Sequence, residues 1–252
     1  MEHEFIITDL TQMQGERVCV AGVDHKSQQI RIDLPPPGIF QQHLYLHDQQ
    51  IIRPRAVVNL SIHTAPDRIA PHVEDFDWER QGSNQVLRIA TEDSWRQVLE
   101  KTTFPSVEAI FETTLHHKKN ITPGTGVRSL GTIKPQTIDW FDYRVLQTPE
   151  GEKHGYRIRF TDATGTRYPE ITITDLTFRY YVHALERKRG EDGVRTVIAK
   201  KLKNSEVWLR LGLTRPWQGW CWLQVNGIYT FPDYLDGQTF DDFRQQGIRL
   251  PN

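Results

Sequence analysis

The sequence predicts a mainly β protein with some α structure, arranged as two small β-barrels with short helices between strands. Three observations lead to this fold class. Short stretches of alternating apolar and polar residues recur between turn-forming residues, extended helical patterns are few, and the string I-T-D-L-T occurs at residues 7–11 and again at 173–177. Short strands favour barrels over a layered α/β sheet, and the repeat suggests two similar domains.

The length of 252 residues suits two domains of about 100 to 150 residues each. We place the boundary before the ITPGTG stretch, which gives domains at residues 1–120 and 121–252. Apolar residues make up 37% of the chain, and none of its apolar runs approaches the roughly 18 residues of a membrane span. The acidic start MEHEFIITDL is unlike a signal peptide, and Cys19 and Cys221 fit a reducing compartment. We therefore expect a cytoplasmic protein with no membrane contact.

In the first half, residues 15–34 predict a hairpin whose polar turn is residues 24–27 and which ends at a run of prolines. Residues 56–63 predict a third strand, and residues 71–76 a loop. Two helices are expected at residues 92–101, with Thr91 as the cap, and at residues 106–115, because apolar residues recur there at helical spacing.

In the second half, residues 155–161 predict a half-exposed strand with Arg157 and Arg159 on its outer side. Asp175 is expected to cap a helix at residues 178–188, and a second helix is expected at residues 194–202. Asp9 and Asp175, the carboxylates of the repeated string, suit turn or cap positions better than catalysis.

Residues 207–236 hold four of the seven tryptophans, Trp208, Trp217, Trp220 and Trp222. Alternation predicts strands at residues 207–213 and 222–225, joined by a turn at residues 215–219, and Asn-Gly at 226–227 predicts a second tight turn. Tryptophans on strands are often core residues, but Trp217 follows Arg-Pro in the turn, where burial is harder to arrange. Aromatic rings, guanidinium groups and amides on one hairpin are the side chains that stack on and hydrogen-bond nucleobases.

The net charge of −1 conceals an asymmetry between the two parts of the chain. Residues 1–100 carry 9 Lys/Arg against 15 Asp/Glu, whereas residues 101–252 carry 22 against 17. A nearly neutral chain is unlike a non-specific polyanion binder, which is usually basic overall. The basic half could still bind a nucleic acid on one face, although a solvated basic helix explains the same charges.

Sequence motifs for catalysis give a weaker signal. The chain has no Walker A loop, no G-x-G-x-x-G, no G-x-S-x-G and no paired C-x-x-C, so no catalytic residue and no cofactor is predicted. His72, Glu74 and Asp75, with His63 nearby, could hold a divalent metal or perform acid–base chemistry. Polar residues in a loop after a strand also serve as caps and backbone partners, and both explanations stay open.

Several motifs together resemble the bacterial dual OB-containing domain proteins: IITDLT, GERVCVAGVD, PHVED, and the closing WLRLGLTRPW and WLQVNGIYTFPDYL. The resemblance spans nearly the whole chain, and its closing motif is the most specific part. It implies two tandem OB-like small β-barrels with short helical insertions. It also implies nucleic-acid binding, a role often suggested for proteins of mobile or defence-associated gene neighbourhoods. The helical residues at about 178–202 depart from a minimal OB barrel.

We therefore predict a module that binds single-stranded DNA or RNA through the C-terminal barrel by aromatic stacking and phosphate contacts. The predicted contact residues are Arg210, Thr214, Arg215, Trp217, Gln224, Asn226, Tyr229, Tyr234, Arg157, Arg159 and Arg179. One alternative is an adaptor that binds a protein partner with the Trp/Arg hairpin as its hot spot. The other is a metal-dependent enzyme acting on nucleic acid at His72, Glu74 and Asp75.

Overall fold

A computed structural model describes residues 2–47, 50–149 and 151–251 and shows a mainly β protein. The first part of the chain forms β1 (Glu2–Gln12), β2 (Val18–Asp24), β3 (Gln29–Asp33), β4 (Ala56–Thr64), β5 (Asp75–Trp78), β6 (Gln85–Ile89) and α1 (Glu92–Lys101). A short 3-10 helix covers Gln41–Leu44. The rest forms β7 (Thr103–Phe104), α2 (Val107–Phe111), β8 (Asn120–Ile121), β9 (Leu130–Ile133), β10 (Thr137–Thr148), β11 (Gly151–Thr161), β12 (Arg167–Ile173), α3 (Leu176–Lys203), β13 (Glu206–Leu213), β14 (Cys221–Phe231) and α4 (Phe240–Gln245).

Five strands of the first half close into a barrel. The hydrogen-bonded order is β1-β2-β3-β5-β4, and β4 pairs again with β1 to complete the ring. The β3–β5 pair is parallel and the other pairs of the ring are antiparallel. Apolar side chains from successive strands fill the barrel, among them Ile7, Val20, Ile32, Val58 and Leu60, all buried. This closed five-stranded barrel is consistent with an OB-like fold.

The elements predicted in the first half are largely confirmed. The hairpin at residues 15–34 is β2 and β3, and the Asp24 carboxylate closes its turn by accepting the backbone N–H groups of Lys26 and Gln28, each at 2.8 Å. The predicted strand at 56–63 is β4, and α1 has the predicted bounds with Thr91 as its cap. Helix α2 is shorter than predicted because its last carbonyls meet a left-handed Glu112 (φ 52°), which ends the helix.

The second half forms an eight-stranded sheet in the order β10-β11-β12-β14-β13-β9-β7, and β8 pairs separately with β14. Among the described strands this order is an open path rather than a ring. A second barrel in residues 121–252 therefore stays a prediction, as does the domain boundary at residue 120. Strand β7 and helix α2, which precede that boundary in the chain, contact β9 of this second sheet.

The two helices predicted at residues 178–188 and 194–202 are confirmed as the two segments of α3, which Asp175 caps as predicted and which is interrupted by the non-helical Gly190 (φ 65°, ψ 179°). One prediction in the second half is wrong in detail. Asn226 and Gly227 form no turn but lie inside β14, where the pairing register with β13 shifts between Arg210 and Leu211. Asn-Gly accommodates a β-bulge here. Both bulges and tight turns favour these two residues, so the local sequence does not distinguish one from the other.

The two copies of the repeated string meet where the halves of the protein join. The Gln12 backbone N–H donates to the Thr174 carbonyl at 2.7 Å, and Thr11 is bridged to Asp175. A buried apolar cluster adds to this junction, with Ile6, Val23 and Val57 from the barrel and Trp95, Leu99, Trp208 and Phe231 from α1 and the second sheet. Strand β1 is therefore shared between the barrel and the contact with the second half.

Candidate functional site

Several of the predicted contact residues of the hairpin meet at a groove of about 590 Å³ between the barrel and the β13–β14 hairpin, here called the Trp217 groove. The barrel side consists of the end of β1, parts of β2 and β3, and the proline-rich loop that follows β3. The hairpin side consists of residues 213–217 with Gln224 and Asn226. Its volume lies within the range of about 300 to 1,000 Å³ that small-molecule sites occupy. Five predicted contact residues line it: Thr214, Arg215, Trp217, Gln224 and Asn226.

The hairpin tip holds Trp217 at the mouth of the groove. Trp217 and Trp220 exchange backbone hydrogen bonds of 2.9 and 3.1 Å, and the two residues between them have positive φ, Gln218 at 51° and Gly219 at 82°. That combination gives the type I′ turn that suits the twist of a hairpin. The Trp222 indole N–H donates to the Trp217 carbonyl at 3.1 Å, and this hydrogen bond connects the turn to the start of β14. Trp217 itself is 62% exposed, so its ring is free to stack, whereas Trp208 is a core residue.

Arg215 enters the groove from the hairpin and is positioned by a carboxylate of the barrel. Its Nη2 lies 2.7 Å from Asp75 Oδ2, and Arg31 holds the other carboxylate oxygen from the opposite side at 2.6 Å. Asp75 and Arg31 are buried, but the Arg215 side chain is 49% exposed. A guanidinium has five N–H donors, so most of those on Arg215 remain available to a ligand anion while Asp75 fixes its direction.

Gln224 and Asn226 place two amides on the inner wall of the groove. The Asn226 amide packs against Gly212 on the neighbouring strand, where a side-chain Cβ would lie only 2.1 Å from its nitrogen. Its oxygen accepts from the Thr174 hydroxyl at 3.2 Å, so the amide orientation is fixed by both neighbours. Thr214 has a structural role, because its hydroxyl accepts the Trp222 backbone N–H at 2.9 Å.

A row of polar side chains leads from the groove across the second sheet. Gln224 of β14 is paired with Thr172 of β12, and Thr172 with Arg157 of β11. Directly paired residues project on the same face, and the Arg157 guanidinium accordingly donates to the Thr172 hydroxyl. Arg159 lies two residues further along β11, with its guanidinium 5.1 Å from the Trp140 ring centre. The predicted residues Arg157 and Arg159 thus continue the surface on which the groove opens.

Four other predicted contact residues lie elsewhere. Arg210 is fully buried and is paired with Asp9 at 2.8 Å, so it cannot reach a ligand. The Tyr229 hydroxyl donates to the Thr8 carbonyl and its ring meets Trp95 edge-on, while Tyr234 is buried against Tyr181. The guanidinium of the fourth, Arg179, donates to the Ile173 carbonyl at 2.9 and 3.1 Å. For Arg210 and Tyr229, on β13 and β14, the alternating pattern does not separate core from surface positions, because residues on both faces of these strands are buried here.

The His72, Glu74 and Asp75 group is built into the junction between the halves. His72 Nε2 lies 3.3 Å from the Leu213 carbonyl, and burial, followed by the charge of Arg31, lowers the pKa of His72 to about 4. Glu74 accepts the backbone N–H of Ser129 at 2.6 Å. Asp75 is held by the two arginines, and His63 lies 3.2 Å from Glu79 at the surface. Each side chain has a separate structural partner, which favours packing over the metal or acid–base site considered for this loop.

Sequence reasoning missed the contribution of the barrel to the groove. Arg17, Arg31 and Asp33 line it together with Cys19, and these residues precede hairpin residues 213–217 by about 180 to 200 positions in the sequence. Arg31 alternates with the core residues Ile30 and Ile32 and so projects from the other face of β3, where the local sequence predicts exposure but the second half of the protein buries it. Burial raises the pKa of the Cys19 thiol to about 11. The thiol is therefore protonated at neutral pH and is not an activated nucleophile.

Comparison of the chain with protein-family models and with curated proteins gave no match. Among the described residues, no helix combines the length and the apolar character that crossing a membrane requires.

Proposed function

We propose that the protein binds single-stranded nucleic acid, with one base in the Trp217 groove and the adjoining backbone along the outer face of β11 and β12. The observation that carries the proposal is the exposed Trp217 ring beside the Arg215 guanidinium at the mouth of a groove of nucleotide size. Exposed aromatic rings next to cations are the usual contacts of proteins that bind single strands without a basic tail.

Each side chain of the groove then has a distinct contact to make. Trp217 stacks on a base, Arg215 pairs with a phosphate or a guanine edge, and the Gln224 and Asn226 amides hydrogen-bond a base edge. Because Asp75 and Gly212 fix Arg215 and Asn226 before a ligand arrives, less conformational entropy is lost on binding than with flexible side chains.

The row beyond the groove supplies the second contact region. Arg157 and Arg159 would follow the phosphates, and Trp140 offers a further aromatic ring beside Arg159. Stacking contributes about 1 to 3 kcal/mol per base, and micromolar affinity corresponds to about 8 kcal/mol. Two stacked bases with several phosphate contacts are sufficient for binding in that range.

The closed barrel supports the same proposal at the level of the fold, since OB-like barrels bind oligonucleotides on a strand face and its flanking loops. We further propose that the chain belongs with the dual OB-containing domain proteins that its motifs resemble. In that case residues 121–252 are a second OB-like unit, elaborated by α3, and the groove lies between two such units.

The experiment is fluorescence anisotropy of labelled single-stranded DNA and RNA at about 50 and 200 mM salt. We expect saturable binding that weakens with salt and quenches tryptophan emission. Trp217→Ala should reduce the affinity by about tenfold or more, as expected for the loss of one stacked base, and Arg215→Ala should also reduce the salt dependence.

Arg88→Ala is the control, because Arg88 is a surface arginine on β6, the strand that pairs with the outer side of β4; it lies 3.4 Å from Glu4 and does not line the groove. Equal affinity of the wild type, Trp217→Ala and Arg215→Ala would reject the site. Absence of binding to either strand at tens of micromolar protein would favour the adaptor function, in which the exposed Trp217 and Arg215 are hot-spot residues for a protein partner.

A further inference from the structure

A second cluster of chemically active side chains lies away from the Trp217 groove, between β11 and α3. His154 on β11 and His183 and Glu186 on α3 direct one potential ligand atom each to the same point, and these three atoms lie within 4.8 Å of one another. His183 and Glu186 are separated by three residues on the helix, so both side chains project from the same side of it. His183 Nδ1 is 3.1 Å from Glu186 Oε2.

The other ring nitrogen of each histidine is already bound by a tyrosine hydroxyl. Tyr143 Oη lies 2.8 Å from His154 Nδ1, and Tyr156 Oη lies 2.6 Å from His183 Nε2. These contacts leave His154 Nε2 beside Glu152 and His183 Nδ1 beside Glu186. Histidines that bind metals generally use one nitrogen for the ion and the other for a hydrogen bond that fixes the ring. A tyrosine hydroxyl can accept the N–H that the imidazole then carries.

A fourth potential ligand, the carboxylate of Glu152, lies near His154. Glu152, on the same strand as His154, has Oε2 at 3.6 Å from His154 Nε2, and its side chain is largely exposed. The cluster is therefore open on one side, while the histidine side chains are nearly buried. An ion can enter without unfolding the sheet, and it would be held mainly by rigid groups.

We propose that His154, His183 and Glu186, with Glu152 as a fourth ligand, form a binding site for a divalent transition-metal ion of the zinc type. Two imidazoles with one or two carboxylates are a donor set of zinc sites, whereas magnesium and calcium prefer oxygen ligands alone. Ligands about 2.0 to 2.1 Å from a tetrahedral zinc ion lie about 3.3 Å from one another. The His183–Glu186 separation of 3.1 Å already fits, and ligand atoms at the upper limit of 4.8 Å must approach each other by about 1.5 Å.

The test is isothermal titration calorimetry of the full chain, without a polyhistidine tag, with zinc chloride in a buffer that contains excess magnesium. We expect one zinc ion per chain and a rise in Tm on zinc addition, because a ligand that binds only the folded state stabilises it. His154→Ala and Glu186→Gln should each weaken binding by more than about tenfold. Tyr156→Phe, which removes only the hydroxyl that orients His183, should weaken it by about ten- to a hundredfold.

His25→Ala is the matched control, because His25 is an exposed histidine in the β2–β3 turn, and it should bind zinc as the wild type does. Circular dichroism of each variant without metal verifies that it is folded, and Glu186→Gln preserves the side-chain volume if His154→Ala is unstable. Lack of a one-to-one isotherm in the wild type would overturn the proposal. Unchanged affinity in Glu186→Gln and His154→Ala would overturn it as well, because the zinc would then be bound elsewhere.

Discussion

The two arginines of the β13–β14 hairpin, Arg210 within β13 and Arg215 in the connection after it, show how position in the hairpin decides the role of a side chain. Arg210 and Arg215 are both paired with a carboxylate of the barrel, Asp9 and Asp75 respectively. Arg210 is fully buried, and its remaining donors are used by Thr132 and Gln29 at 2.9 and 2.8 Å. Arg215, five residues later, is half exposed. The first arginine therefore joins the halves of the protein, and the second is available to a ligand.

We expect Arg210→Ala to lower the free energy of unfolding by about 3 to 5 kcal/mol, because it leaves the Asp9 charge buried without its partner. Urea denaturation followed by circular dichroism measures this loss. Arg88→Ala, which removes an exposed arginine from a 3.4 Å pair with Glu4, should change the free energy of unfolding by no more than about 1 kcal/mol. A loss for Arg210→Ala as small as that of the control would show that the buried pair does not stabilise the junction.

At the scale of elements, prediction from sequence succeeded where the determinants are local. Helix α1 has its predicted bounds because Thr91 and the apolar spacing after it lie within one segment. The role of Asn226 and Gly227 depends instead on β13 and β1. Gly227 approaches Asp9 so closely that a Cβ would be 3.2 Å from its carboxylate oxygen. Prediction of the site is limited for the same reason. Trp217 and Arg215 could be identified from the local sequence, whereas the barrel residues opposite them could not, because they are distant in the chain.

The packing of two neighbouring strands gives a prediction for the groove wall. Gly212→Ala would place a Cβ 2.1 Å from the Asn226 amide nitrogen, so the amide must rotate or the strands must separate. We expect a loss of about 1 to 3 kcal/mol in the free energy of unfolding, typical of overpacking, together with weaker binding of single strands in the groove. Anisotropy and urea denaturation on the same sample measure both effects.

Gly155→Ala is the matched control for this substitution. Gly155 is also a strand glycine, but the nearest atom to its added Cβ is the Arg144 carbonyl oxygen at 3.9 Å, an ordinary contact. It should therefore leave the stability and binding nearly unchanged. If Gly212→Ala behaves in the same way, the position of the Asn226 amide is not fixed by its contact with Gly212.

At the scale of the whole molecule, buried polar contacts rather than a flexible linker connect the barrel to the second sheet. Arg210 and Asp9 are 201 positions apart in the sequence, and Tyr180 reaches Gln41 across 139 positions at 2.8 Å. No periodicity in a single sequence reports such pairs. The two similar domains that the repeated I-T-D-L-T string suggests stay a prediction; the structure shows that the two copies contact each other, with Asp9 inside β1 and Asp175 at the cap of α3. Stability should therefore respond to the charge state of this junction.

Asp175 makes that response measurable. Burial, opposed by hydrogen bonds from the Phe178 and Ile228 N–H groups and reinforced by the nearby Asp9 charge, raises the pKa of Asp175 from 3.8 to about 7. Between about pH 4 and 7, Asp175 is therefore protonated in the folded state and ionised in the unfolded state. The stability that this proton contributes is fully present below pH 4 and is lost as the pH rises through 7. The free energy of unfolding falls over this range by roughly 1.4 kcal/mol for each unit by which the folded and unfolded pKa values differ.

The whole-protein profile does not isolate this effect, because His72 and His183 act in the opposite direction. Burial lowers the pKa of each to about 4, so they favour the folded state increasingly as the pH rises from 4 to 6.5. The difference between the wild type and Asp175→Asn removes their contribution. We expect the free energy of unfolding of the wild type to fall relative to that of Asp175→Asn between pH 4 and 7, as measured by urea denaturation at each pH. Parallel profiles would mean that Asp175 is ionised in the folded protein throughout this range, with its charge stabilised by the helix cap and the Ile228 N–H.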